Sequence, residues 1–183
     1  MKKSVLFSIA IVTISVFSAV SARAQAFAVG TNVISAGIGL GSSIASYGYG
    51  TQSPGFNVNY DRGFWEAGPG VVSLGGYIGI KDYNYTGNGY SEKWNYTVIG
   101  VRGAWHFTGL DIDNLDLYGG LMLADYILSY SSEGTTGLPG NYGSTVGVSV
   151  YAGAKYYFAG NLGAYGELGF GANILSLGIS YKF

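Results

Sequence analysis

Residues Thr145 to Phe158 read TVGVSVYAGAKYYF. Every second position, Val146, Val148, Val150, Ala152, Ala154, Tyr156 and Phe158, is apolar or aromatic. The positions between, Gly147, Ser149, Tyr151, Gly153, Lys155 and Tyr157, are small, polar or phenolic. Alternation of this kind is the period of a β-strand whose two faces meet different surroundings. Which face meets water decides the fold.

The same period recurs along the chain. Ile34, Ala36, Ile38 and Leu40 share one face against Val33, Ser35, Gly37 and Gly39. Phe56, Val58 and Tyr60 oppose Asn57, Asn59 and Asp61, and Val72, Leu74, Ile78 and Ile80 oppose Ser73, Gly75, Tyr77, Gly79 and Lys81. Ile99, Val101, Trp105 and Phe107 oppose Gly100, Arg102 and His106, while Leu115, Leu117, Leu121 and Leu123 oppose Asp116, Tyr118, Gly120 and Met122. Leu162, Ala164, Leu168 and Phe170 oppose Tyr165, Glu167 and Gly169, and the final run sets Leu175, Leu177, Ile179, Tyr181 and Phe183 against Ser176, Gly178, Ser180 and Lys182. The pattern predicts eight strands and no helix in the mature chain. Short connections are predicted at 61–70, 108–114, 159–161 and 171–173, and long ones at 42–55, 82–93 and 129–144.

The beginning has a different character. Lys2 and Lys3 precede the uncharged apolar run SVLFSIAIVTISVFSAV, and SARAQA follows with small residues at the spacing a signal peptidase reads. This is the layout of a secretory signal rather than a spanning helix. Cleavage is expected after Ala24 or Ala26, giving a signal peptide over 1–26 and one domain over 27–183.

Composition then separates two kinds of barrel. A soluble sandwich or lipocalin-like barrel shows the same period with the apolar face inside and Lys, Glu and Asp outside. Charged residues are only 10% of this chain, against roughly 25% in ordinary soluble domains. The second face is instead Gly, Ser, Asn and Tyr, which suits the filled interior of an eight-stranded barrel. With the N-terminus periplasmic, one barrel end gathers Phe64, Trp65, Trp105, Phe107, Tyr156, Phe158, Tyr181 and Phe183. Rings concentrated at strand ends form an interfacial girdle in membrane barrels. Hydrocarbon offers no partner to a backbone N–H or C=O, so such a sheet must close on itself. The expected fold is all-β: an eight-stranded, antiparallel, up-and-down transmembrane barrel, its last strand against its first.

Charge and motif content exclude several functions. A net charge of −1 gives no basic field for nucleic acid. With no cysteine and one histidine, thiol chemistry and a zinc site are excluded, and no cofactor is expected. The inward parity holds Lys81, Arg102, Lys155 and Glu167. A buried charge needs a partner, so Glu167 is expected to pair with Lys155, Arg102 or both. Such a network reads either as a plug that fixes packing or as a polar gate. Asp61 and Lys182 are expected to be solvated near the periplasmic mouth.

His106 raises the case of a lipid-modifying enzyme, which needs a hydroxyl and an orienting acid in reach. No Ser/Asp pair is evidently placed for it, so it is expected to be an interfacial histidine and the chain not an enzyme. DIDNLD, at 111–116, lacks the glycine and closing glutamate of a calcium loop and reads as a polar turn. The long connections carry Tyr47, Tyr49, Tyr83, Tyr85, Tyr90, Tyr130 and Tyr142 among Gly, Ser, Thr and Asn. That mix suits either adaptable binding of an extracellular ligand or simple solvation of a surface tip.

The ending LGISYKF sets Tyr181 two residues before Phe183, with Leu177 and Ile179 alternating upstream. It resembles the C-terminal assembly signal of Gram-negative outer-membrane proteins. The block Val150 to Phe183, with KYYF followed by NLGAYGELGFG, is similar to the end of small porin-family barrels of the OmpA-transmembrane, OmpX and OmpW kind. The resemblance implies residence in the cell outer membrane, contact with its lipid and insertion by the barrel assembly machinery. A structural or surface-interaction role through the loops is expected. The alternative is a narrow passive channel for small solutes, as the OmpW likeness implies.

Overall fold

The computed structural model describes residues 26–42, 51–87, 90–110, 112–133 and 143–183. Eight strands form the wall: β1 (Asn32–Leu40), β2 (Gly55–Glu66), β3 (Gly70–Gly87), β4 (Tyr90–Phe107), β5 (Leu115–Glu133), β6 (Thr145–Ala159), β7 (Leu162–Phe170) and β8 (Leu175–Lys182). A two-residue piece, Thr51–Gln52, adds to β3 opposite Asn84 and Tyr83. Each wall strand pairs antiparallel with its sequence neighbours, and β1 pairs with β8, so the sheet closes. Backbone bonds finish the seam: Asn32 N–H donates to the Phe183 carbonyl at 3.1 Å, and Phe183 N–H donates to the Asn32 carbonyl at 2.9 Å. No edge remains in the wall, which is what a sheet in hydrocarbon requires.

The apolar face is outside. Leu121 is 58% exposed and its neighbour Met122 only 4%. Ile38, Phe56, Ile80, Val101, Val148, Phe170 and Ile179 are likewise exposed, while Ser35, Asn57, Ser73 and Tyr151 are buried. Outward apolar residues run from Val72 to Ile80 on β3, where Asp82 ends them, and from Leu115 to Leu123 on β5, where exposed Asp125 interrupts the face before Ile127. Each run is about nine residues, the length a tilted strand needs to cross a bilayer.

Three strands are longer than the alternation predicts. β3, β4 and β5 span 18, 18 and 19 residues, so 82–87, 90–93 and 129–133 continue the ladder instead of forming loops. Register runs without slip from Gly70 opposite Phe107 to Gly87 opposite Tyr90. Above the apolar band both faces are polar or aromatic, so hydropathy stops reporting the strand while Tyr, Thr and Trp still favour it. β2 also runs further than predicted, to Glu66, with a bulge between Gly63 and Trp65. The connection after it shrinks to Ala67–Pro69, closed by Ala67 N–H to the Gly70 carbonyl. Between β6 and β7 the turn is two residues, with Gly160 at φ +60°, a conformation glycine adopts without strain. The signal-peptide reading over 1–26 lies outside the described residues but for Ala26, as do the tyrosines 47, 49 and 142.

Candidate functional site

The lumen is filled because its tyrosines lie over its glycines. A Cβ on Gly153 would stand 2.7 Å from the Tyr118 hydroxyl, one on Gly120 2.7 Å from that of Tyr151, and one on Gly37 2.5 Å from that of Tyr165. No real Cβ makes such approaches, so an inward glycine on one strand is the socket for a ring from another. Inward glycine and tyrosine at these positions thus have a shared cause in this packing.

Among the rings lies a set of charges. Arg102 on β4 donates from Nη2 to Glu167 Oε2 on β7 at 2.8 Å, and its Nε lies 3.0 Å from Asp61 Oδ1 on β2. Lys155 on β6 donates to Asp61 Oδ2 at 3.1 Å and stands 3.9 Å from Asp116 Oδ2, its cross-strand partner on β5. The Arg102 guanidinium lies 4.1 Å from the Tyr151 ring centre, and Lys155 Nζ the same distance from that of Tyr118. Tyr118 in turn donates to Glu167 Oε2 at 3.1 Å. A carboxylate taken out of water is costly unless paired and hydrogen-bonded, and each partner here comes from a different strand. The ion pairs therefore tie β2, β4, β5, β6 and β7 together across the interior.

Two expectations are corrected, for Asp61 and for Lys81. Asp61 is not solvated at the mouth: it is wholly buried and central to the network. The strand carrying it runs on to Glu66, so Asp61 keeps the inward parity of Asn57 and Asn59 within the wall. Of the two partners expected for Glu167, Arg102 is the one found, while Lys155, diagonal to Glu167 through Tyr165, turns to Asp61 and Asp116. Lys81 stands apart from the charges, donating to the Gly41 carbonyl and, at 3.4 Å, to Asn173 Oδ1, which places it at the other end of the lumen.

His106 is likewise not interfacial. Its ring is fully buried, with Nε2 2.9 Å from Ser73 Oγ and Nδ1 2.8 Å from Asp116 Oδ1. Register explains what spacing alone does not reveal. Val71 pairs with His106, so inward Ser73 is diagonal to it; His106 pairs with Tyr118, so Asp116 is diagonal on the other side. The order of groups is that of a hydrolytic triad, but Phe27 stacks on the imidazole at 3.6 Å with planes 6° apart. Phe27, 1% exposed, packs with Val33 and Val71 and corks the mouth. Lys182 is also drawn in: it donates to the Ala26 carbonyl at 3.3 Å, its Nζ 4.5 Å from the Tyr157 ring centre. Ser73, His106 and Asp116 thus form a buried polar chain across three strands, beneath the Phe27 ring.

Two interior voids are bounded by the described residues. The void bounded by Tyr77, Arg102, Tyr151 and Glu167 is about 20 Å³, and a pocket of about 90 Å³ lies beside Phe27 and Leu115 at the corked mouth. A single water needs roughly 10–15 Å³. Toward the other end Asn173 donates to the Tyr77 hydroxyl at 2.8 Å, and Tyr165 donates to Asn57 at 2.9 Å.

Outside, Trp105, Tyr156, Phe158 and Phe183 are exposed and Phe107 and Tyr181 half-exposed, all near the strand ends on the side of the cork. Trp105 packs on Phe107 and Tyr181 on Phe183. Leu177 and Ile179 point outward from β8 opposite Ile38 and Ala36 of β1.

No protein-family model and no curated protein matches the chain by sequence. Among solved structures, the chain is similar to Ail, the attachment invasion locus protein of Yersinia pestis, crystallised with the heparin analogue sucrose octasulfate. The TM-score is 0.53 at 14% identity, over 85% of this chain and all of that one. Ail crystallised without the analogue, and Ail in a phospholipid bilayer nanodisc, give TM-scores of 0.46 and 0.47 at 14% and 16% identity. The first of these likenesses carries the fold: a small outer-membrane-type barrel.

Proposed function

We propose that the chain is a sealed barrel of the cell outer membrane that acts as a structural and surface-interaction protein, through the region it raises above the membrane. The carrying observation is the lumen, crossed by Asp61, Arg102 and Glu167, with a void of only about 20 Å³ beside them. That arrangement supports a plug rather than a path for solutes. The side chains that could have done acyl chemistry, Ser73, His106 and Asp116, are buried beneath Phe27, which supports a non-enzymatic role.

The extended β3–β5 sheet and the connections around it supply the interaction surface. Between Ser42 and Pro54, Asp82 and Lys93, and Asp125 and Ser144 the sequence has four acidic residues, Asp82, Asp125, Glu92 and Glu133, and one cation, Lys93. A surface of this charge favours neutral or basic partners over polyanions, so an attachment role of the sort Ail's name carries would run through different chemistry here. Planar-bilayer recording of purified protein tests the sealed-lumen reading. No discrete openings above background are expected; stepwise openings would favour the narrow-channel alternative.

A further inference from the structure

The outward face of β2 carries an exposed arginine where its neighbours carry rings. Arg62 sits two residues before Phe64, just as Trp105 precedes Phe107, Tyr156 precedes Phe158 and Tyr181 precedes Phe183. It is thus a charge at the height of the aromatic girdle. Among the described residues no carboxylate pairs with it; its guanidinium carbon lies 5.7 Å from the Phe64 ring centre, which holds the group along the wall. Beside it, Tyr60 donates to Asn32 Oδ1 at 2.7 Å, giving a polar ledge in an otherwise apolar belt.

Two outer grooves flank this ledge. One, about 520 Å³, begins a step along β2 and is lined by Ala36, Ile38, Phe56, Val58, Ile78 and Ile179. The other, about 910 Å³, begins at Leu74, the cross-strand partner of Arg62, and passes over Gly103 and Gly119 between Val101, Trp105 and Leu121. Both arise because small residues replace large ones on the lipid face. A Cβ on outward Gly76, next to Tyr60, would meet nothing nearer than 3.8 Å, so the surface stays notched between ledge and grooves.

We propose that this face is a phospholipid site of the periplasmic leaflet, with the headgroup phosphate on Arg62 and the two acyl chains in the two grooves. The argument is charge complementarity: an unpaired guanidinium at phosphate height takes a phosphate oxygen with two parallel N–H donors, and a diacyl lipid offers two chains to two grooves. The site rests on the barrel being membrane-embedded, with the corked end periplasmic.

Native mass spectrometry of the full chain in maltoside micelles, titrated with phosphatidylglycerol, tests it. Wild type is expected to retain the lipid, Arg62→Gln to bind it at least tenfold more weakly, and Ala36→Phe with Gly103→Phe to lose it similarly. Inorganic phosphate at millimolar concentration is expected not to displace the lipid. Equal retention by either variant, or displacement by free phosphate, overturns the site. Heat-modifiable gel migration of each variant reports barrel insertion separately, so a lost lipid site is distinguishable from a barrel that does not embed.

Discussion

Arg102 and Glu167 meet at 2.8 Å across the lumen, although their strands β4 and β7 are separated by two others around the wall. Arg102→Met strips this bond and leaves Asp61 with Lys155 alone. Breaking a buried pair from one side costs roughly 3–5 kcal/mol. The expected outcome is a lower urea midpoint for unfolding from lipid vesicles, partly restored by adding Glu167→Gln. An unchanged midpoint would contradict the structural role of the network.

Glycines on the two faces differ in what they tolerate. Gly153→Ala puts a methyl 2.7 Å from both the Tyr118 hydroxyl and the Gly166 carbonyl, which costs roughly 1–3 kcal/mol. Gly76→Ala faces open space on the lipid side and is expected to be neutral or slightly stabilising. Unfolding midpoints of the two variants check the contrast, and equal effects would count against the socket packing.

A charge on the outer face should block assembly where one at a rim does not. Leu121→Arg or Val148→Arg, in the apolar band, costs roughly 2–4 kcal/mol. Reduced folded yield and loss of heat-modifiable migration are expected. Wild-type yield from both would refute the lipid-facing assignment.

Removing Phe183 takes away both backbone bonds it shares with Asn32 at the β1–β8 seam. Lower insertion into the outer membrane is expected, with surface labelling of intact cells as the readout. Normal surface levels would count against both the seam and the assembly-signal resemblance.

Sequence is a sufficient guide to which way each side chain faces and a poorer one to where strands end. Face assignment is legible because period two survives any error in strand ends: Val146 and Lys155 keep their sides whatever the register. Strand ends are not legible above the membrane, where Tyr83, Trp94 and Tyr130 alternate with polar residues instead of apolar ones. The dipeptide Asn88-Gly89, the usual sequence of a two-residue hairpin, is the available sign that β3 and β4 run on. The ion network is half legible. Arg102 and Glu167 stand out by parity; Asp61 and Asp116 share that parity but sit at predicted strand ends, where each also reads as a turn residue. The contact of His106 with Ser73 and Asp116 is a product of register between strands, which one sequence does not contain.

The account depends most on the outward side chains touching lipid and the inward ones packing in a sealed interior. The chain has no cysteine, so single cysteines placed from Gly119 to Asp125 and labelled with nitroxide read this directly. Vesicle-embedded protein is predicted to show high collision rates with oxygen at 121 and 123 and low ones at 120, 122 and 124. Folded protein in detergent-free buffer with 121 and 123 shielded, and 120, 122 and 124 open to a water-soluble relaxant, would contradict it.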